Sequence, residues 1–165
     1  MALAVLLRRM LAPTLAAKTT RVHAFIVDHS VRLGSDTEAA KVGDAMRAHG
    51  FTPVILTLNW GPDGPPTHGF ETAARTARYQ ALAKACVERQ VKHLLLGHHQ
   101  DDIVETVMMR MINSSKAEGL RGMRMTSKIP ESWGIFHAEN VQLGRPLLTF
   151  PKVDRLLLGD ADRAT

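Results

Sequence analysis

The sequence predicts an α/β fold, a parallel sheet with helices on both faces, and three observations predict it. Short runs rich in β-branched and aromatic residues, "VHAFIV" (22–27), "TPVILTL" (52–58) and "VKHLLLG" (91–97), alternate with longer helical patterns. The intervening helices, about ten to twenty residues each, have the length of crossovers that join parallel strands. Polar clusters, "VDHSVR" and "GHHQDD", follow the first and third runs. In open α/β sheets ligands bind beyond the carboxyl ends of the strands, so both clusters are expected along one rim.

Each element has its own signals. Residues 2–11 read as a helix from the one-sided apolar pattern of "MALAVLLRRML", stopped by Pro13 or shortly beyond. "VHAFIV" has the continuous apolar character of a buried strand. Ser35 and Asp36 are placed to cap a helix through "TEAAKVGDAMRAH", and Gly50 is a natural stop for it. A second strand follows at 52–58. "NWGPDGPPTHG" (59–69) is so dense in Gly and Pro that it must be a loop. "ETAARTARYQALAKACVERQ" reads as a long helix, 91–97 as the third strand and "DDIVETVMMRMI" as a fourth helix. The remainder, up to "RPLLTFPK", reads as irregular with one strand near Val141. One domain is expected over residues 1–152, with 153–165 a divergent tail.

Hydrophobic content of 45% and charged content of 22% place the chain among globular proteins. A net charge of +5 inclines it to anionic partners such as nucleic acid or phosphorylated ligands, or marks only a basic soluble protein. The single cysteine, Cys86, excludes an internal disulfide, a CxxC pair and a cysteine-rich zinc site. Its helical setting suits a small packed side chain better than a nucleophile. No run approaches the roughly 20 apolar residues of a membrane span. The stretch before Asp28 carries Arg8, Arg9, Lys18 and Arg21 but no acid. It reads either as the first helix of the fold or as a mitochondrial transit peptide, so the expected location is cytoplasm or mitochondrial matrix. A secretory signal would place its basic residues before the apolar stretch, and here they follow it.

The densest chemistry is "HHQDDIVET" (98–106). Set on a helix from His98 at about 100° per residue, His98, Asp101, Asp102 and Glu105 share one face, while Ile103, Val107 and Met111 turn to the sheet. Carboxylates in a first turn are favoured by the helix dipole. Hard oxygen ligands suit Mg²⁺, with Asp102 as the candidate ligand, and His can donate to a phosphate oxygen. The competing interpretation is an N-capped surface helix with solvated acids. The pattern HHxDDxxET directly after an apolar strand favours the site. Zinc on two histidines and an aspartate is a weaker possibility, since adjacent histidines diverge and no HExxH is present. In "ETAARTARYQAL", Glu71, Arg75, Arg78 and Leu82 recur on one helical face. Two arginines one turn apart offer forked donors for phosphate, with Tyr79 beside them to stack or pack; otherwise they are a Glu–Arg surface helix. "SSKAEGLRGM", with Lys116, Gly119, Arg121 and Gly122, suits an anion-binding loop or an ordinary turn equally.

Taken in order, VDHSVRxxSxxEA (27–39), ETAARTARYxAL (71–82), LLLGHHQDDxxETVMMR (94–110), GLRGM (119–123) and RPLL (145–148) resemble the tRNA(Ile)-lysidine synthetases of the PP-loop ATP pyrophosphatase superfamily. The likeness runs from about Met1 to Lys152. It implies an adenine-nucleotide α hydrolase-like, Rossmann-like fold, ATP and Mg²⁺ as cofactors, and tRNA(Ile) and L-lysine as partners. The implied reaction adenylates the C2 oxygen of the wobble cytidine, after which the lysine amine displaces AMP. By resemblance, Asp28 and His29 lie near the adenosine. His98, His99 and Thr106 join Asp101, Asp102 and Glu105 around the nucleotide. Glu71, Arg75 and Arg78 face nucleotide and target base, Arg121 helps bind substrate, and the catalytic set is Asp101, Asp102, Glu105, Arg75 and Arg78. Two alternatives stand beside it. One is a tRNA 2-thiolation enzyme, which would need cysteines for sulfur or a cluster; the other is a non-catalytic nucleotide- or RNA-binding remnant.

The family's phosphate loop, SGGxDS, follows its first and central strand, and neither is in this sequence: "MALAVLL" reads like the helix after that loop. At the other end "VDRLLLGDADRAT" departs from the family pattern, so the chain is expected to be a fragment with its central strand missing. Backbone amides of such a glycine-rich turn cradle phosphates. The 165-residue chain alone is therefore expected not to bind ATP tightly or to modify tRNA. Calorimetry yielding micromolar ATP affinity would overturn that expectation.

Overall fold

The computed structural model describes residues 2–16, 21–112 and 123–151. Helix α1 (Ala2–Ala16) ends shortly beyond Pro13, as expected, though it is longer than the span 2–11 read from the pattern. Proline removes one backbone donor, but its fixed φ fits a helix, and here the last turn continues without that bond. Ala2 and Val5 are buried. A Cβ at Gly97 would lie 3.8 Å from Leu3 Cβ, which sets the start of α1 beside the end of the third strand.

Strand β1 (His23–Asp28) leads to α2 (Ser35–Ala48) and then β2 (Thr52–Thr57). Ser35 and Asp36 do not cap α2. Gly34, in a left-handed conformation, precedes it, no side chain bonds its amides, and Asp36 and Glu38 in the first turn favour the helix dipole instead. Gly50 stops the helix as expected: at φ 82°, it donates to Arg47 O (2.9 Å) while Phe51 donates to Met46 O (3.1 Å). This is a Schellman closure, which needs a residue comfortable at positive φ. The Gly- and Pro-rich loop leads into α3 (Phe70–Glu88), which is followed by β3 (His93–Leu95) and α4 (Gln100–Ile112). The third strand is shorter than its apolar run. The segment read as irregular holds two short strands, β4 (Thr126–Lys128) and β5 (Gln142–Gly144), with a 3₁₀ turn at Ala138–Asn140 between them.

β1 pairs in parallel with β2, register Val27 to Leu56 and Asp28 to Thr57. In a second sheet β5 is central, parallel to β3 and antiparallel to β4. The two sheets share no ladder among the described residues. Residues 23–27 are accordingly half-buried, not buried as a strand flanked on both edges would be.

Helix α3 bridges the gap. Tyr79, Leu82, Ala83 and Cys86 form the core with Leu94 and Leu143 of the second sheet, and Phe25, Val27 and Leu56 of the first pack against the same cluster. Burying such side chains contributes about 1.5–3 kcal/mol each. Leu82 is 4% exposed and sits at the centre of this brace. Leu82→Ala should cost about 3 kcal/mol by transfer and cavity terms. Urea unfolding followed by circular dichroism reads the shift, and an unmoved midpoint would mean that α3 does not hold the sheets together.

Candidate functional site

The carboxyl ends of β1 and β3 define the site. Asp28, the last residue of β1, is buried, and its Oδ1 accepts the Ser30 amide at 2.8 Å. Ser30 has φ 51°, so this bond holds a left-handed turn at the strand exit. The His29 carbonyl accepts the Trp60 indole N–H at 2.7 Å, fastening that turn to the 59–69 loop.

Helix α4 begins at Gln100, so His98 and His99 lie in the approach to the helix and not on its face. Asp102, on the third helical residue, reaches back to accept the His99 amide at 2.7 Å, while its own amide donates to His99 O at 3.1 Å. This is half of a capping box: the Asp102 side chain takes the His99 amide, but the return bond goes to the His99 carbonyl and not to its side chain. The acid is therefore not a freely solvated side chain. His99 is buried beneath it, Nε2 3.5 Å from Asp102 Oδ2, and Thr106 Oγ1 donates to the Asp102 carbonyl at 2.7 Å. Of the expected face of His98, Asp101, Asp102 and Glu105, only Asp101 departs, since it lies about 100° round the helix from Asp102. Asp102 and Glu105 line the cleft described below; Asp101 is exposed and does not.

On α3, Glu71, Arg75 and Arg78 share the cleft face. The Arg75 partner is not Glu71, as a local salt-bridge pattern would have it: Arg75 Nε donates to Glu131 Oε1 at 2.9 Å. Both guanidinium groups lie against the buried Tyr79 ring, 4.8 Å away for Arg75 and 5.1 Å for Arg78, which steadies two like charges by cation–π attraction. Glu131 was not singled out by sequence, because it sits in a segment without periodicity. It adopts φ 55°, uncommon for a residue with a side chain, and its Oε2 is buried with no partner among the described residues.

These groups meet in one open cleft of about 1360 Å³. Its walls carry Asp28 at the end of β1 and His29 just after it, Glu71, Arg75 and Arg78 from α3, His98 ahead of α4, and Asp102, Glu105 and Thr106 from α4. Met123 and Glu131 close one side. Burial, reinforced by the nearby Arg145 charge, pushes His98 below the ordinary imidazole value of 6.5, so it stands neutral at physiological pH, and its Nδ1 has no partner among the described residues. Arg145 of the RPLL segment is buried, its Nη1 donating to Arg124 O (2.9 Å) and Ser127 Oγ (3.2 Å), which ties β5 to the entry of β4. Cys86 is buried in the core, and desolvation pushes its thiol up to about 11, the behaviour of a packed side chain and not of a nucleophile. Arg121, Lys116, Gly119, Gly122 and the 153–165 tail lie outside the described residues.

Among the described residues no three His, Cys, Asp or Glu side chains converge as a metal cage, which leaves zinc without a ligand set. One or two carboxylates in an open cleft beside arginines fit Mg²⁺, which keeps several waters and is completed by phosphate oxygens. Asp102 has one oxygen engaged at the helix start and one left over, and Glu105 lies one turn on.

With this geometry, the comparisons are informative. A model of the PP-loop domain matches residues 1–156. A probable tRNA(Ile)-lysidine synthase of Schizosaccharomyces pombe is 38% identical over 132 residues, 78% of this chain and 29% of that protein. The tRNA(Ile)-lysidine synthase of Brucella anthropi is 38% identical over 131 residues, 78% of this chain and 27% of its own length. The chain thus spans less than a third of these relatives. The solved structure of the U34-tRNA thiolase NcsA from Methanococcus maripaludis, with its [4Fe-4S] cluster, superposes with a TM-score of 0.67 at 18% identity, covering 97% of this chain and 54% of the thiolase, and shows a shared fold. The chain belongs to the PP-loop family, and its sequence relatives are tRNA(Ile)-lysidine synthases.

Proposed function

We propose that this chain is the nucleotide-binding portion of a ligase that uses ATP to activate the wobble cytidine of tRNA(Ile) for attack by L-lysine. The observation that carries this is the convergence of Asp28, Arg75, Arg78, His98, Asp102 and Glu105, from three separated segments, in one cleft at the carboxyl ends of parallel strands. The C2 oxygen of cytidine is a poor leaving group until it carries a phosphoryl group. Adenylation forms the bond from that oxygen to the α-phosphorus of ATP and expels pyrophosphate. The lysine amine then attacks C2, the C2–O bond breaks, and AMP departs with the oxygen.

Each residue has a task that suits its setting. Arg78, with no ion pair among the described residues, offers forked donors to the departing pyrophosphate. Arg75, tethered to Glu131, orients beside it. Asp102 and Glu105 would hold Mg²⁺, which when bound would supply Lewis-acid neutralisation of the leaving charge. Neutral His98 is suited to hydrogen-bond a phosphate or base atom without adding positive charge. Asp28 and His29, at the β1 exit, are placed for the nucleoside end. Residues 1–152 would form the domain, as the sequence suggested. Location in cytoplasm or mitochondrial matrix stays part of this proposal; no described helix is long and apolar enough to cross a membrane. The 2-thiolation alternative finds no support in Cys86, the single cysteine of the chain, which is enclosed in the core.

Asp102 separates structure from chemistry. At full natural length, Asp102→Ala should abolish ATP-dependent pyrophosphate release and also cost about 1 kcal/mol, since the His99 amide loses its acceptor. Asp102→Asn keeps an acceptor oxygen, so it should recover most of the stability while remaining inactive. An active Asp102→Asn enzyme would reduce the acid to a helix cap. Replacing Arg75 and Arg78 together with Ala should weaken tRNA or ATP binding and flatten the log–log salt dependence of tRNA binding by about one per lost phosphate contact. An unchanged slope with unchanged ATP affinity would return both to surface salt-bridge residues.

A further inference from the structure

The segment "IPESWGIFHA" (129–138) turns its two large aromatics outward: Trp133 is 70% exposed and Phe136 87%. Nothing about the turn is loose. Ile129 and Ala138, at its two ends, are buried in the core, and Ile135, between the aromatics, packs against it. Ser132 Oγ donates to Ile129 O at 2.9 Å, the Ile135 amide to Ser132 O at 3.2 Å, and the Ala138 amide to Ile135 O at 3.3 Å. Three residues, Glu131, Gly134 and His137, hold left-handed conformations at φ 55°, 79° and 69°. Two of them are not glycine, so the turn carries backbone strain that its anchors impose. The smaller Ile135 is taken inside while two side chains with far more apolar area are held in water by a fixed backbone. Core formation therefore does not account for their position.

The turn also belongs to the cleft. Glu131 lines it and pairs with Arg75. Trp133 follows two residues later, which puts its Cα within about 7 Å of that of Glu131. A partner at this edge meets cationic arginines and, beside them, flat exposed rings on a rigid support. Polyanions with unpaired, stackable faces have that chemistry: single-stranded RNA. We infer that the 129–138 turn is a stacking platform on which Trp133 and Phe136 receive unpaired bases of an RNA loop, presenting a neighbouring nucleotide to the cleft. This rests on the proposal that the substrate is tRNA, and adds the element that grips the loop.

The test uses the protein at full natural length and two RNA probes, a hairpin with an unpaired loop and the fully paired duplex of its stem, followed by fluorescence anisotropy over a range of salt. Trp133→Ala with Phe136→Ala should weaken hairpin binding by roughly tenfold or more, as loss of base–aromatic stacking does. Duplex binding, the salt slope and the melting temperature should stay as in wild type, because neither ring contributes charge or core packing. Trp133→Phe should restore part of the hairpin affinity. Equal hairpin affinity of wild type and double variant would overturn the platform, as would a lowered melting temperature with affinity unchanged, which would mean that protein covers these rings. Wild type that fails to bind the hairpin at all would remove the tRNA proposal itself, an outcome distinct from failure of the platform alone.

Discussion

The apolar face of α3 touches both sheets, and the geometry of the cleft hangs on that contact. β1 and β3 share no hydrogen bonds, so backbone pairing does not fix the exit of β1 relative to the exit of β3. Tyr79, Leu82, Ala83 and Cys86 do so by packing against Leu94 and Leu143 on one side, with Phe25 and Val27 on the other. The same helix carries Glu71, Arg75 and Arg78 one to three turns earlier, facing the rim. A helix whose later half is clamped in the core has little freedom in its first half. The arginines are therefore positioned by hydrophobic packing and steadied by the Tyr79 ring, itself 1% exposed.

Much of this was legible in the sequence. Helices and strands up to α4 came from periodicity, the rim from the polar clusters after two strands, and the Gly50 stop from the chemistry of positive φ. Three things were not. α1 outran its expected span of 2–11 and ended at Ala16, because a single missing amide at Pro13 costs little where the rest of the turn is satisfied. The helix α4 itself was read from Asp101, one residue from its start, but the face argument began it at His98, because nothing in "GHHQDD" excludes that start until the bond from the His99 amide to Asp102 is seen. β4 was read as irregular, since a three-residue strand carries no period to detect.

Glu131 shows the same limit at the site. No local pattern marks it, because its meaning lies in a contact across 56 residues with Arg75. Long-range ion pairs leave no trace in the spacing of one chain, whereas the i, i+4 pair expected of Glu71 and Arg75 does. The sequence placed Glu71, Arg75 and Arg78 on one helical face and offered a Glu–Arg surface helix as the alternative to a phosphate site; Glu131 entered neither reading. The difference matters for charge. A Glu71 pair would have neutralised Arg75 within its own helix, while the Glu131 pair ties the arginine to a separate, strained turn.

That tie gives the two arginines unequal standing in the proposed chemistry. Arg75 is already opposed by a carboxylate that has only one oxygen engaged. A phosphate entering beside it must either share that guanidinium or displace Glu131, and displacement would strand a half-buried acid. Arg78 faces no such competitor among the described residues, so it can meet incoming negative charge without first losing a partner. His98 is held below the ordinary imidazole value first by burial and then by the Arg145 charge, with Arg78 and Arg75 adding to this and Asp102 opposing it. The cleft lining as a whole is acidic, with Asp28, Glu38, Glu71, Asp102, Glu105 and Glu131 against Arg32, Arg75 and Arg78, so the positive charge an anion meets is confined to the arginine side, while the histidine keeps an Nδ1 with no partner among the described residues. A site arranged this way meets an anion by fixed charges already in place, the condition under which electrostatic stabilisation requires least reorganisation.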